Sequence, residues 1–158
     1  MNEWRVYAIH DEKNIKGFFG EYRWLSNFHA AEIEFDGLTY PSTENAYQAA
    51  KILPEHRVNL TTCKPYESKT LWKKYPLVDA EAAAWDARKD RVMALITYRK
   101  YQAHPDLLRK LIDTGDRHLE ELNHWGDAYW GVDIRKGGEN NLGKLLMLLR
   151  LFGKDGLV

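Results

Sequence analysis

Hydrophobic and polar positions change their spacing several times along this chain, and each change predicts an element. Residues 4–9, WRVYAI, alternate loosely and predict a strand. A polar turn, HDEKNIKG, and an aromatic run without a clean period, GFFGEYRWLSNF, follow. In AAEIEFDGLTYP, Ile33 and Phe35 alternate with Glu32 and Glu34, Asp36-Gly37 supplies a turn, and Leu38 and Tyr40 resume the alternation. That pattern predicts a β-hairpin ended by Pro41. The period then becomes helical. Ser42 or Thr43 can cap a helix running to about Leu53, where Pro54 stops it. Residues 55–76 predict short helical turns and loops. Residues 79–101 carry the longest helical signal, with Asp79 as cap and Trp85, Val92 and Ile96 as an apolar stripe. A further helix begins near Pro105, with Leu107, Leu108 and Leu111 facing inward. TGDRHLEELNHWGDAYWGVD predicts loops and short strands. The last helix spans about Asn140 to Phe152, with Leu142, Leu145, Leu146, Leu149 and Phe152 on its inner face. The fold class is α+β: mostly helical, with a small antiparallel β component.

Length fits one domain over residues 1–158. No linker or internal repeat divides it. Lys plus Arg and Asp plus Glu each number 23, so no general electrostatic grip on nucleic acid is implied. Cys63 is the single cysteine, which leaves no intrachain disulfide and points to a reducing compartment. The first residues lack the signal-peptide pattern, and no apolar run reaches membrane-spanning length. The expectation is a cytoplasmic protein without a membrane partner. Six histidines show no metal-ligand spacing, so neither a metal nor another cofactor is expected. Six Trp and nine Tyr are unusual, and either a core or a base-stacking wall would use them.

Four stretches can carry chemistry. In YPSTENAYQAAK, Glu44, Gln48 and Lys51 share one helical face with Tyr47 nearby, while Ala46, Ala49, Ala50 and Leu53 make the other side. An ordinary amphipathic helix with a solvated polar face has this same pattern. If the face lines a cleft, Glu44 can stabilise positive charge developing on a sugar carbon or orient water. Lys51 can bind phosphate or attack a ring-opened sugar aldehyde. In HWGDAYWGVD, Asp127 lies between Trp125 and Trp130, with Asp133 beyond; a raised carboxyl pKa or a tight turn both fit. GGENNLGKLLMLLR suggests glycines before an anion-binding helix start, or simply Asn140 or Asn141 as a cap. WDARKDRVM places Trp85 beside Arg88 and Lys89, suited to a base and a phosphate or to a core tryptophan with a solvated basic edge. The dinucleotide-fold GxGxxG and the hydrolase GxSxG are absent.

Taken in order, WLSNF, FDGLTYPSTENAYQAAK, WDARKDRVM, LLRKLIDTGDRHLEE, DAYWG and GENNLGKLLMLLR resemble the NADAR, or YbiA-like, family of N-glycosidases across about residues 17–152. The resemblance implies cleavage of a C–N bond between ribose and a base or amine. Family substrates include phosphorylated ribosylamino-pyrimidine intermediates of riboflavin biosynthesis and ADP-ribosylated guanine in nucleic acid. It implies Glu44 and Asp127 as catalytic groups. Glu44 would stabilise the ribosyl cation and activate water, and Asp127 would protonate the leaving nitrogen or anchor ribose hydroxyls, or the two carboxylates would exchange these roles. Asn27 and Phe28 match an early SNF element, Trp85 the family tryptophan, and Asn140 a late G-x-N-x-L-G element. Tyr47, Gln48, Lys51, Arg88, Lys89 and Trp130 complete the expected substrate contacts. The partner is then a phosphorylated ribosyl small molecule or an ADP-ribose-bearing substrate, with nucleic acid only as a modified substrate. A non-catalytic ADP-ribose or nucleotide binding module is the alternative. The chain departs from many relatives at Asn45, at Tyr47 and through residues 56–76.

Overall fold

The computed structural model of the chain describes residues 6–158. Trp4 and Arg5, the start of the expected first strand, lie outside the described residues; Ile9–His10 forms the strand β1. The chain forms an α+β fold, largely helical, in two compact units: Asn27–Pro105, and the chain up to Ser26 together with Asp106–Val158.

The central unit is built around a hairpin and three helices. β3 (Ile33–Phe35) pairs antiparallel with β4 (Leu38–Tyr40), Ile33 facing Tyr40 and Phe35 facing Leu38. Asp36 and Gly37 have φ of 52° and 76°, the paired positive values of a tight primed turn. Arg57 ties the turn down by pairing with Asp36. α1 (Thr43–Ala49) follows and packs against the hairpin, α2 (Pro65–Leu71) and α3 (Ala82–Ala103). α1 stops short of the expected Leu53. Ile52 leaves it to form an antiparallel bridge with Leu77, and Pro54 opens a 3₁₀ turn. The capping expectation at Asp79 is also corrected. α3 begins at Ala82 behind Glu81, which makes no side-chain cap bond, while the Asp79 carboxylate pairs with Arg88 at 2.7 Å. Met93, Ile96, Thr97, Lys100 and Tyr101 form the buried part of α3; Trp85 and Val92 are only half-buried.

In the other unit, β2 (Asn14–Lys16) pairs antiparallel with β1 and parallel with β5 (His118–Glu120), and β6 (Leu122–Asn123) pairs parallel with β7 (Val132–Asp133). The β component thus adds short parallel pairings to the antiparallel ones. α4 (Pro105–Asp113) buries Leu107 and Leu111, and α5 (Asn141–Lys154) lies on β5. The inner face of α5 is narrower than expected. Leu142, Leu146 and Leu149 are buried, but Phe152 is 38% exposed. At 3.6 residues per turn Phe152 falls about 90° from the stripe's centre. Gly153 occupies that centre, facing Leu108 and Ile112 so closely that an added Cβ would lie 2.9 Å from Leu108.

Candidate active site

α1 is buried on every side, including its polar residues. The solvated-face alternative therefore does not describe it. Ser42 caps the helix: its Oγ accepts from the Asn45 N–H at 3.2 Å and donates to Asn45 Oδ1 at 2.6 Å. Asn45 Nδ2 donates onward to the carbonyls of Leu60 and Cys63, at 2.9 and 2.8 Å. This residue anchors the segment after α1. Asn27 accepts the Glu44 N–H through its backbone carbonyl at 3.0 Å, while its side-chain amide donates to Met93 Sδ at 3.5 Å. The early SNF element thus fixes the start of α1.

A polar relay runs along the helix. Gln48 Nε2 donates to Glu44 Oε1 at 2.7 Å, and Lys51 Nζ donates to Gln48 Oε1 at 2.7 Å. The four- and three-residue spacings bring the three onto one line. The amide faces its carbonyl to the ammonium and its N–H to the carboxylate, so both charged ends determine its orientation. Glu44 and Gln48 are 6% and 5% exposed.

Lys51 carries the relay to a cavity of about 320 Å³ lined by Lys51, Trp72, Leu77, Asp79, Ala80, Ala82 and Trp85. Three aromatic rings surround its Nζ: Trp72 at 4.5 Å, Tyr47 at 5.2 Å and Trp85 at 5.6 Å from the ring centroids. Burial lowers the Lys51 pKa to about 8; the Glu44 carboxylate opposes that shift, and the charges of Lys69 and Lys73 add to it.

The structure brings Asn27, Glu44, Tyr47, Gln48, Lys51, Trp85 and Arg88 into one neighbourhood. Tyr47 and Trp85 meet with centroids 5.4 Å apart. Arg88 lies over Trp85 at 4.8 Å, with its Nη2 donating to the Ala50 carbonyl at 2.8 Å and its Nε to Asp79. The guanidinium thereby joins α3 to the end of α1. Lys89 pairs with Asp86 at 2.8 Å, and the Phe28 ring lies 5.5 Å from Lys69 Nζ. The sequence reading missed Trp72 and Asp79 as pocket walls. Trp72 sits in an aperiodic segment, where its only signal is a large aromatic among lysines.

Asp127, Trp130 and Asn140 belong to the other unit. Asp127 Oδ1 accepts from the N–H groups of Tyr129 and Trp130, at 3.1 and 2.9 Å, and its backbone exchanges two bonds with the Asn123 amide. That is the geometry of an Asx turn. The Trp130 ring meets Tyr129 edge-on. Asn140 occupies the N-cap position of α5, one of the two expected, but with a left-handed φ of 55° and no side-chain cap bond. Its Oδ1 accepts from Glu121 N–H at 3.1 Å and its Nδ2 donates to the Leu119 carbonyl at 2.9 Å, so both amide ends are engaged by the strand region. Asp133 is buried and accepts from the N–H groups of Gly126, Arg135 and Lys136. Burial acts to raise its pKa, but these donors and the Arg135 charge prevail and hold its carboxyl below the usual range.

The NADAR domain matches residues 12–151, nearly the whole chain. The chain belongs to the NADAR family. Among relatives of this NADAR chain, N-glycosidase YbiA of Escherichia coli is 32% identical over 139 residues, covering 82% of this chain and 81% of that protein. N-glycosidase Npun_R5314 of Nostoc punctiforme is 30% identical, covering 82% of this chain and 84% of that one. Riboflavin biosynthesis protein VVA0006 of Vibrio vulnificus is 29% identical over 80% of this chain, which spans only 34% of that longer protein. The NMR structure of the Escherichia coli protein YbiA superposes with a TM-score of 0.76 at 29% identity, covering 98% of this NADAR chain and 93% of that one. Among the described residues, no helix is long and apolar enough to cross a membrane.

Proposed function

We propose that this NADAR chain is an N-glycosidase that hydrolyses the bond between the anomeric carbon of a ribosyl group and the nitrogen of a base or amine. The relatives named N-glycosidase support the enzyme class. The substrate proposed is a phosphorylated ribosylamino-pyrimidine of the riboflavin route, in line with the relatives named riboflavin biosynthesis proteins, and the cytoplasm is the proposed compartment. The observation that carries the reading is the Glu44–Gln48–Lys51 relay ending at an aromatic-walled cavity.

The reaction breaks C1–N, adds water at C1 and returns a proton to the departing nitrogen. Charge at C1 is positive in the transition state, and the buried Glu44 carboxylate is the group assigned to oppose it and to accept a proton from water. Trp85 offers a face to the leaving base. Lys51 Nζ, with its pKa near 8, is able to hold or release a proton at neutral pH.

A second reading draws on one observation: Lys51, rather than Glu44, lines the cavity. In its neutral form the Lys51 amine adds to C1 of the opened sugar, the base leaves carrying its N–H, and water hydrolyses the resulting imine to restore the amine.

The deciding experiment incubates the protein with a ribosylamino-pyrimidine phosphate, NAD, ADP-ribose and ADP-ribosylated guanine and follows released base by mass spectrometry. Base release from the first substrate is expected. Glu44→Gln should lower turnover by roughly a hundredfold or more with the melting temperature retained. Borohydride added during turnover separates the two routes: a ribosyl adduct on Lys51 marks the imine. Binding of all four compounds without release of any base would replace the glycosidase with a nucleotide-binding module.

A further inference from the structure

We infer that Trp72 is a specificity-determining residue that, with Trp85, forms a slot for the planar heteroaromatic base of the substrate; this deepens, and rests on, the N-glycosidase reading. Both indoles line the same cavity, and the remaining lining is Lys51, Asp79 and the small or aliphatic Leu77, Ala80 and Ala82. A volume of about 320 Å³ is at the lower end of the roughly 300–1,000 Å³ of small-molecule pockets, suited to one end of a ligand rather than to a dinucleotide. Trp72 is half-buried, although it follows directly on α2 in a 3₁₀ turn whose neighbours Lys73 and Lys74 are exposed. The Trp72 ring lies under Lys51, whose Nζ is closer to this ring than to the other two. Two indole walls with the Lys51 ammonium over their rings provide aromatic surface and one N–H donor, the combination that recognises a flat base bearing a carbonyl or ring nitrogen.

Trp72 stands directly after α2, so the slot assigns the choice of base to residues 65–74, separately from the chemistry assigned to α1.

The test measures binding of two reaction parts, a diaminopyrimidinone base and ribose 5-phosphate, by calorimetry to the wild-type protein, Trp72→Ala and Trp72→Phe, with hydrolysis followed in parallel. Trp72→Ala should weaken the base by about 5- to 150-fold and leave ribose 5-phosphate unchanged. Trp72→Phe, which keeps a stacking face, should recover most of the loss. Unchanged base affinity in Trp72→Ala overturns the slot, as does an equal loss of both ligands without recovery by phenylalanine, or a wild-type protein that binds no base. Hydrolysis that persists while base affinity ignores Trp72 defeats the slot alone. Base binding that depends on Trp72 in a protein hydrolysing no riboside defeats the glycosidase reading and leaves the slot standing.

Discussion

Lys51 combines two demands that pull in opposite directions. Its ammonium gains from Gln48 Oε1 and three aromatic faces, yet burial removes water from it, and burial prevails. The consequence for stability has a definite sign. Between about 8, the folded value, and about 10.5, the ordinary one, the unfolded chain holds a proton that the folded chain has released. Stability attributable to this residue therefore rises with pH across that window and carries the full charge-burial cost below it. Denaturant unfolding of wild type and Lys51→Met at pH 7, 8, 9 and 10 checks this. The difference, wild type minus variant, should move in favour of wild type as pH rises; a flat difference would show that the ammonium is adequately solvated. The sequence spacing placed Glu44, Gln48 and Lys51 on one face, because that depends only on 3.6-residue geometry. It did not reveal that the face is buried, because burial depends on what α2, α3 and the hairpin bring to it. Arg88 shows the same limit: its motif suggested phosphate, while its bonds to Asp79 and the Ala50 carbonyl come from chain segments 9 and 38 residues away.

Among elements, the hairpin was legible because its turn chemistry is local, and α1 was legible at its start but not its end. Ser42 announces the cap, whereas the end is set by Ile52 bridging to Leu77, a pairing with no local signature. The loop from Gly126 into α5 shows why its motif residues are restrictive. Gly143 lies in the first turn of α5, where alanine is intrinsically better by about 1 kcal/mol. A Cβ there would collide with the Leu119 carbonyl and the Asn140 side chain, and Asn140 in turn holds Leu119 and Glu121. The clash should win: Gly143→Ala is expected to destabilise the protein by about 1–3 kcal/mol net in denaturant unfolding. A gain in stability would mean that Asn140 can be displaced at little cost. Asp127 gives a sharper separation. Its Oδ1 serves two backbone donors, and an asparagine oxygen can serve them equally. Asp127→Ala should cost about 1 kcal/mol, and Asp127→Asn much less. With the turn preserved in the asparagine variant, its turnover then reports on the carboxylate itself: wild-type turnover assigns Asp127 to the turn, and a hundredfold loss assigns it to the chemistry.

At the scale of the molecule, the balance of 23 basic and 23 acidic residues constrains how any substrate is met. A polymer bound through its phosphates releases counterions, and each neutralised phosphate on a single strand contributes about −0.7 to the slope of log affinity against log salt. A protein of zero formal net charge has little means to drive such binding over many phosphates. A small phosphorylated riboside instead meets only local cations, whose attraction is screened within about 10 Å at 0.1 M salt. The expected outcome is that kcat/KM for the ribosylamino-pyrimidine phosphate falls by less than about threefold between 50 and 200 mM salt, since a single phosphate group is involved. Parallel titration of unmodified single-stranded DNA should show no saturable binding at 150 mM salt. A steep salt slope on a nucleic-acid substrate, with several phosphates' worth of counterion release, would reverse this. It would move the substrate from the free riboside to a modified base within a polymer, and the local lysines Lys64, Lys69, Lys73 and Lys74 would then be the first to mutate, each expected to reduce the slope by about 0.7.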